Sequence, residues 1–393
     1  MPAASGAPPA SVNIFDASDD PSLLRDLREA GPAVYVKEHN FWVLTRYEEV
    51  RAAAIDWETY SSAEGVALLD SANDAIRGAI IATDPPEHDM IRGVLASQTS
   101  PRAIAKLRER IASEVDAITA EVVGRGTFDG VVDLARVIPA RIVGDLIGIP
   151  DEPRDHLFVG SDAVNRTFGP ADARLEADMP TVISFLDWIA SVSNRSSLRP
   201  GSWGAAVLDA VDAGVLTEHS AQLQMNALLV AGLDTTANAL GALLRVMAEQ
   251  AHLWEALKAD PSLTSPLFEE TLRMWPPVRG FFRLTTRDVQ VGDAAIPAGS
   301  RVFLHFQSAN RDERHYADPD VFDISRNPVD HLSFGYGVHG CVGQAVARLE
   351  AHSVIASLLR RVDSFELTGT PEQREHPLIN GLAHLPLQAH PIS

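Results

Sequence analysis

The stretch HLSFGYGVHGCVGQAVARLE, His331 to Glu350, carries the only cysteine of a 393-residue chain. Cys341 stands two residues after His339, among Gly335, Gly337, Gly340 and Gly343. One cysteine allows no internal disulfide and no all-cysteine zinc or iron–sulfur site, so the count gives no sign of an oxidising compartment. A lone cysteine is commonly a small buried apolar side chain. These surroundings support a second use. Glycines let the backbone come close to a bulky flat ligand and let amides point at a sulfur. A helix beginning just after Cys341 puts its positive end there and favours thiolate. A thiolate held in this way can ligate haem iron, where it pushes electron density toward the metal and favours O–O cleavage.

Composition sets wider bounds. Hydrophobic residues make up 46% of the chain, enough to fill a large core, and the length suits one large domain or two smaller ones. A net charge of -20, with no basic stripe to offset it, argues against nucleic acid as a partner. The main basic cluster is PRAIAKLRER, Pro101 to Arg110, which reads either as a solvated helix face or as a docking patch for an acidic partner. The N-terminus MPAASGAPPASV lacks a basic start followed by an apolar core, and long apolar runs are broken by charge before membrane-spanning length. The expectation is a cytoplasmic protein with no signal peptide and no membrane anchor.

Along the chain, residues 1–11 read as a flexible lead and residues 12–393 as a single domain. AVYVKEHNFWVLTRYEEV predicts strand, turn at His39-Asn40, strand and then helix, because apolar and polar residues alternate on both sides of the turn. From Pro101 to Gln250 the pattern is mostly helical, and DVQVGDAAIPAGSRVFLHF returns to short strands punctuated by Gly and Pro. A further helix spans VGQAVARLEAHSVIASLLRRV. The fold class is therefore mainly α with small β-sheets, an α+β arrangement.

Three other stretches carry chemistry. NALLVAGLDTTANALGALL, Asn226 to Leu244, is apolar on both sides over several turns and so implies a buried helix, yet it holds Asp234 and Thr235 at its middle. Such groups either back-bond to the preceding turn or are put to use, because burying them unpaired is costly. In LFEETLRMWPPVRGFFRLTTRDV, Glu270 and Arg273 are three apart on one helix face, a pair worth only about 0.2–0.5 kcal/mol when exposed. In DPPEHDMIRGVL, His88 and Arg92 are four apart and share a face, as a solvated pair or as a grip for an anion.

Together these motifs resemble those of the cytochrome P450 family. FGYGVHGCVG, Phe334 to Gly343, resembles its haem-binding signature, and the similarity runs from about Asp19 to the C-terminus in the family's motif order, including Asn310-Arg311-Asp312. The resemblance implies the cytochrome P450 fold, with haem b between a long central helix and the cysteine loop. It makes Cys341 the axial ligand, with Phe334 and Gly343 beside it, and assigns the haem propionates to His88, Arg92, Arg283 and His339. It implies that the central helix opens locally and admits water, with Asp234 and Thr235 delivering the two protons that reductive O–O scission consumes. Glu270 and Arg273 become a buried structural ion pair.

Within the family, AGLDTTANALGA, GFFRLTTRDVQVG and GVHGCVGQAVARLE are most similar to bacterial P450s that demethylate or hydroxylate para-substituted benzoates. By position in those motifs, Phe168, Val230, Ala231, Val278 and Phe281 would line the pocket, though apolar residues beside an apolar helix equally read as ordinary core. Those relatives hold the carboxylate with basic and hydroxyl groups on the central helix and on the loop around residues 60–83. This chain has Asn226 and Ala227 on the helix, and Ala75 and Gly78 on the loop, with Arg77 nearby as a substitute anchor. A buried carboxylate without partners is heavily penalised, which favours a neutral methoxylated or alkylated phenol. Benzoate oxidation, hydroxylation of another small apolar molecule such as a terpenoid, a peroxygenase and a non-catalytic haem sensor stay open. With no dinucleotide fingerprint and no cysteines for a cluster, electrons must come from separate proteins; the resemblance implies an iron–sulfur ferredoxin and an NAD(P)H-dependent reductase docking near Cys341 and the Arg102 to Arg110 cluster.

Overall fold

The longest helix, Glu218–Glu249, starts where Thr217 caps it by accepting a hydrogen bond from the Ser220 amide. It is apolar nearly all round, and such a helix is stable only when other elements cover every face. In the computed structural model, which describes residues 14–15, 20–151 and 155–392, it runs through the middle of the protein. Its length and composition would suffice to cross a membrane, but 72% of its most apolar window is buried inside the protein. Helices Val137–Ile147, Asp155–Arg166, Trp203–Asp212 and Thr264–Met274 pack against it, and a second layer pairs helix Pro101–Gly124 with helix Gln344–Leu359. The flexible lead expected over residues 1–11 lies outside the described residues.

The strands lie to one side. Ala33–Val36 and Phe41–Leu44 form the expected hairpin, with Asn40 at φ 56° in the turn, where Asn is among the few residues tolerating the left-handed region. They extend into a five-stranded sheet in the order Ala33–Val36, Phe41–Leu44, Arg301–His305, Gly280–Thr285, Tyr60–Ser61. Smaller sheets include Val289–Val291 with Ala294–Ile296, and Thr127–Asp129, Pro386–Pro391 and Val362–Leu367. The helix expected from Val342 begins at Gln344 and ends at Leu359, because the residues after Cys341 still belong to the turn that presents the sulfur.

Helix Thr264–Met274 ties this architecture to the cysteine loop. Glu270 and Arg273 are both fully buried and joined by paired bonds of 2.7 and 2.8 Å. Arg273 also donates to the carbonyls of Asn310 and Pro319, each at 2.8 Å, while Glu270 accepts from the Asp323 amide at 2.9 Å. Asn310 in turn accepts from the Leu332 amide and donates to Ser333 Oγ, so the segment entering the cysteine loop hangs from this helix. Removing one member of a buried pair leaves the other charged and unpaired, which costs about 3–5 kcal/mol. Glu270→Gln is expected to lower unfolding free energy by about that amount in denaturant titration; a change below about 1 kcal/mol, the range of an exposed pair, would contradict the assignment.

Candidate active site

Glycines shape the cysteine loop. Gly335 and Gly337 both sit at φ 68°, and a Cβ on Gly337 would lie 2.5 Å from the Ala54 carbonyl oxygen, so the loop can dock on helix Tyr47–Ile55 only with glycine there. A short turn at Gly337–His339 follows, and the Cys341 amide donates to the Phe334 carbonyl at 2.7 Å. The amides of Gly343 and Gln344 hydrogen-bond the Cys341 sulfur. Phe334 lies beside the loop with the Arg348 guanidinium 4.4 Å from its ring centre.

The thiol does not follow the sequence-based expectation. Burial pushes its pKa above the ordinary thiol value, and the Gly343 amide, the Arg92 charge, the Gln344 amide and Arg348 offset this only in part. The helix end alone therefore does not produce a thiolate; ligation to a cation does, since a coordinating thiol is deprotonated outright.

On the neighbouring side, helix Glu87–Thr99 presents His88 and Arg92, strand Gly280–Thr285 presents Arg283, and the cysteine loop presents His339. The His88 and His339 rings meet edge to face at 4.6 Å, and the Nε2 atoms of both are buried without a hydrogen-bond partner. Arg283 is buried, and its one hydrogen bond among the described residues is to the Phe282 carbonyl, at 2.6 Å. Burial pulls its pKa down to about 10, against the pull of Asp84. Burial likewise holds His339 at about 4, opposed by Asp84 and reinforced by the charges of Arg283 and His88. Asp84 is already engaged by Ser61 Oγ at 2.5 Å and the Ser62 amide at 3.0 Å, and it stands 4.0 Å from His339 Nε2. Buried donors without acceptors, beside a glycine-lined cysteine, fit a flat cofactor that brings its own carboxylates.

The central helix passes opposite. Ala231 is exposed and Gly232 and Thr235 half-buried in the middle of an otherwise largely buried helix, so the packing leaves this stretch uncovered. The helix itself is continuous from Glu218 to Glu249, and the local opening that the resemblance implied is not present. Side chains back-bond here instead: Thr235 Oγ1 donates to the Ala231 carbonyl at 2.8 Å, and Asn238 Nδ2 to the Asp234 carbonyl at 2.8 Å. Asp234 is fully buried and thoroughly engaged. Arg374 donates to both its oxygens, at 2.6 and 3.1 Å, with Asn165 at 3.1 Å and Asn238 at 3.2 Å. Arg374 also pairs with Asp162 on helix Asp155–Arg166. Asp234 and Thr235, adjacent in sequence, therefore differ in environment: one is locked in a charge network, the other lies on the uncovered stretch.

Phe168 and Phe281 meet edge to face at 6.3 Å, and Phe281 meets Phe306 at the same distance. Val278 bridges to Ile379, and Val230 is buried with its carbonyl accepting from Ser161 Oγ at 3.0 Å. Arg77, the expected substitute anchor, is half exposed, 3.0 Å from Asp74 and 3.4 Å from the Ala63 carbonyl; it lines an outer groove of about 1030 Å³ rather than the interior space.

Sequence reading missed three groups. Glu269 binds Arg348 at 2.7 and 2.9 Å and His331 at 3.1 Å. Burial pushes its carboxyl up, but these two partners hold it down at about 2. Arg374 lies 140 residues from Asp234, and no local pattern links them. Gln224, buried two residues before Asn226, bonds to the loop at Gly78 and Ile80.

The family model described as Cytochrome P450 matches residues 204–391. Cytochrome P450 CYP199A2 of Rhodopseudomonas palustris is 38% identical over 369 residues, 93% of this chain and 90% of that protein. Cyclomarin C epoxidase CymV of Salinispora arenicola is 34% identical, over 88% of this chain and 90% of that protein. Among solved structures, epothilone D-bound cytochrome P450epoK superposes with a TM-score of 0.87 at 28% identity, covering 98% of this chain and 100% of that one. Motif set, site and similarity over nearly the whole chain agree: the protein belongs to the cytochrome P450 family, whose monooxygenases carry haem on an axial cysteine thiolate.

Proposed function

We propose that the chain O-demethylates or hydroxylates a small neutral aromatic compound, a methoxylated or alkylated phenol. Cys341 would ligate the haem iron, and His88, Arg92, Arg283 and His339 would hold its propionates. When bound, haem supplies reductive activation of dioxygen. For a methoxy substrate the balance is one dioxygen, two electrons and two protons, giving a free hydroxyl, formaldehyde and water. The residues of this chain position the substrate and move the protons.

Phe168, Val230, Ala231, Val278 and Phe281 give the substrate an apolar wall. Thr235 Oγ1, on the open stretch of the central helix, holds the proton nearest the reaction, and Asp234 recharges it. The charge network around Asp234 fixes that carboxylate, so its proton exchange depends on Arg374, Asn165 and Asn238. Electrons come from a ferredoxin and its NAD(P)H-dependent reductase, docking on the face near Cys341 and the Arg102 to Arg110 segment.

The observation carrying the choice of substrate is the direction of Arg77. Its side chain is 54% exposed and paired with Asp74, and at the helix position Asn226 accepts from Gln222 at 2.9 Å. A benzoate carboxylate would enter the site without a cation to meet it. Titration of the ferric protein with para-methoxybenzoate and 4-methoxyphenol, following the iron spin change, is expected to respond to the phenol alone. A full response to the benzoate would overturn the neutral-substrate reading.

Proton delivery has its own test. Thr235→Ala is expected to keep consuming electrons while product per electron falls at least about tenfold, within the range of losing a general acid, and peroxide accumulates. Full coupling in this variant would remove Thr235 from the proton path.

A further inference from the structure

Gln224 on the central helix is 3% exposed, with its amide spent on the loop segment Gly78–Ile80 that packs against it. Its Oε1 accepts from the Ile80 amide at 2.8 Å, and its Nε2 donates to the Gly78 carbonyl at 2.9 Å and to the Ser220 carbonyl at 3.0 Å. One primary amide thus satisfies both a donor and an acceptor of a buried loop, which no apolar side chain can do. Gly78, at φ 93°, makes the sharp bend that this seating requires, and a Cβ there would lie 3.6 Å from Leu223 Cδ1. Ala79 beyond it is buried, whereas Arg77 before it points outward. The bend at Gly78 therefore separates a residue facing the core from one facing the outer groove, and Gln224 grips the chain on both sides of Ala79.

The contacts of the Arg77 side chain itself are weak: an exposed pair with Asp74 and a long bond of 3.4 Å to the Ala63 carbonyl. Its partner Asp74 is 70% exposed, and exposed ion pairs are weak and screened by salt. Glu64 and Asp70 line the same groove and add attraction, but Asp70 is already paired with Arg301 at 2.7 Å. The backbone tether, more than the surface pair, decides which way Arg77 points.

We propose that Gln224 sets the charge class of the substrate: by tethering Gly78 and Ile80 to the central helix, it keeps the Arg77 guanidinium out of the pocket and the pocket neutral. This rests on the neutral-substrate reading above. Gln224 is a positioning residue and touches no reacting atom. Gln224→Leu leaves the Ile80 amide and Gly78 carbonyl unpaired, so the loop lifts toward water and Arg77 gains access to the interior, where a carboxylate meets it through paired hydrogen bonds.

The test uses the haem-loaded protein and two readouts. Hydrogen exchange at the Ile80 amide is expected to accelerate in Gln224→Leu. Para-methoxybenzoate, expected to produce no spin change in the wild type, is expected to produce one in the variant, with affinity raised at least about tenfold. Adding Arg77→Ala is expected to abolish that gain while leaving the faster exchange. If Gln224→Leu does not fold, Gln224→Asn, one methylene short of the loop, is expected to show the same pattern. Faster exchange with benzoate still refused, or a gain that survives Arg77→Ala, would overturn the proposal. Unchanged exchange at Ile80 would overturn the tether whichever substrate class is right. A wild type that already takes the benzoate sinks the substrate reading separately, before any variant is made.

Discussion

Two adjacent carboxylates on one buried helix determine where the cysteine can be. Glu270 is paired with Arg273, whose guanidinium donates to the Asn310 carbonyl, and Asn310 holds the loop at Leu332 and Ser333. Glu269, one residue earlier, reaches His331 before the cysteine and Arg348 after it. The loop that presents Cys341 is thereby bracketed at both ends by the same turn of helix. Neither carboxylate is in a position to be neutralised cheaply, since each sits among cations that it alone compensates. The placement of the sulfur thus rests on a charge network anchored on another helix, one member of which, Arg348, also acts on the thiol.

The same logic, inverted, describes the other side of the site. Where the helix Thr264–Met274 network balances charge, Arg283 and His339 are poorly served: Asp84 attracts both but is already engaged by Ser61 and Ser62, and His88 has only the exposed Asp89, at 3.1 Å. Burial holds His339 neutral and depresses Arg283, the response of cationic groups lacking a counter-charge. In the proposed reading haem propionates would supply that counter-charge, and the iron would supply what Cys341 needs to be a thiolate. Protein and cofactor are each incomplete without the other.

Much of this was legible in the sequence because it is local. The glycine-framed cysteine, the Glu270–Arg273 spacing and the acid and alcohol inside an apolar run each occupy a few consecutive residues, where spacing carries meaning. The hairpin turning at Asn40 was readable for the same reason. What escaped depends on distant parts of the chain meeting. Arg374 reaches Asp234 across 140 residues, and Glu269 reaches Arg348 across 79. The direction of Arg77 is equally non-local, because Gln224, 144 residues from Ile80, helps to set it. The raised thiol pKa escaped for another reason: helix-end and amide contributions can be read from sequence, whereas the burial that outweighs them cannot.

The account turns on Cys341 serving as a thiolate ligand inside this bracket. The most direct measurement is the absorption spectrum of the reduced, carbon monoxide-bound protein. The account predicts the red-shifted Soret band that thiolate ligation gives, lost on Cys341→His with haem still bound. A histidine-type band in the wild type would contradict it.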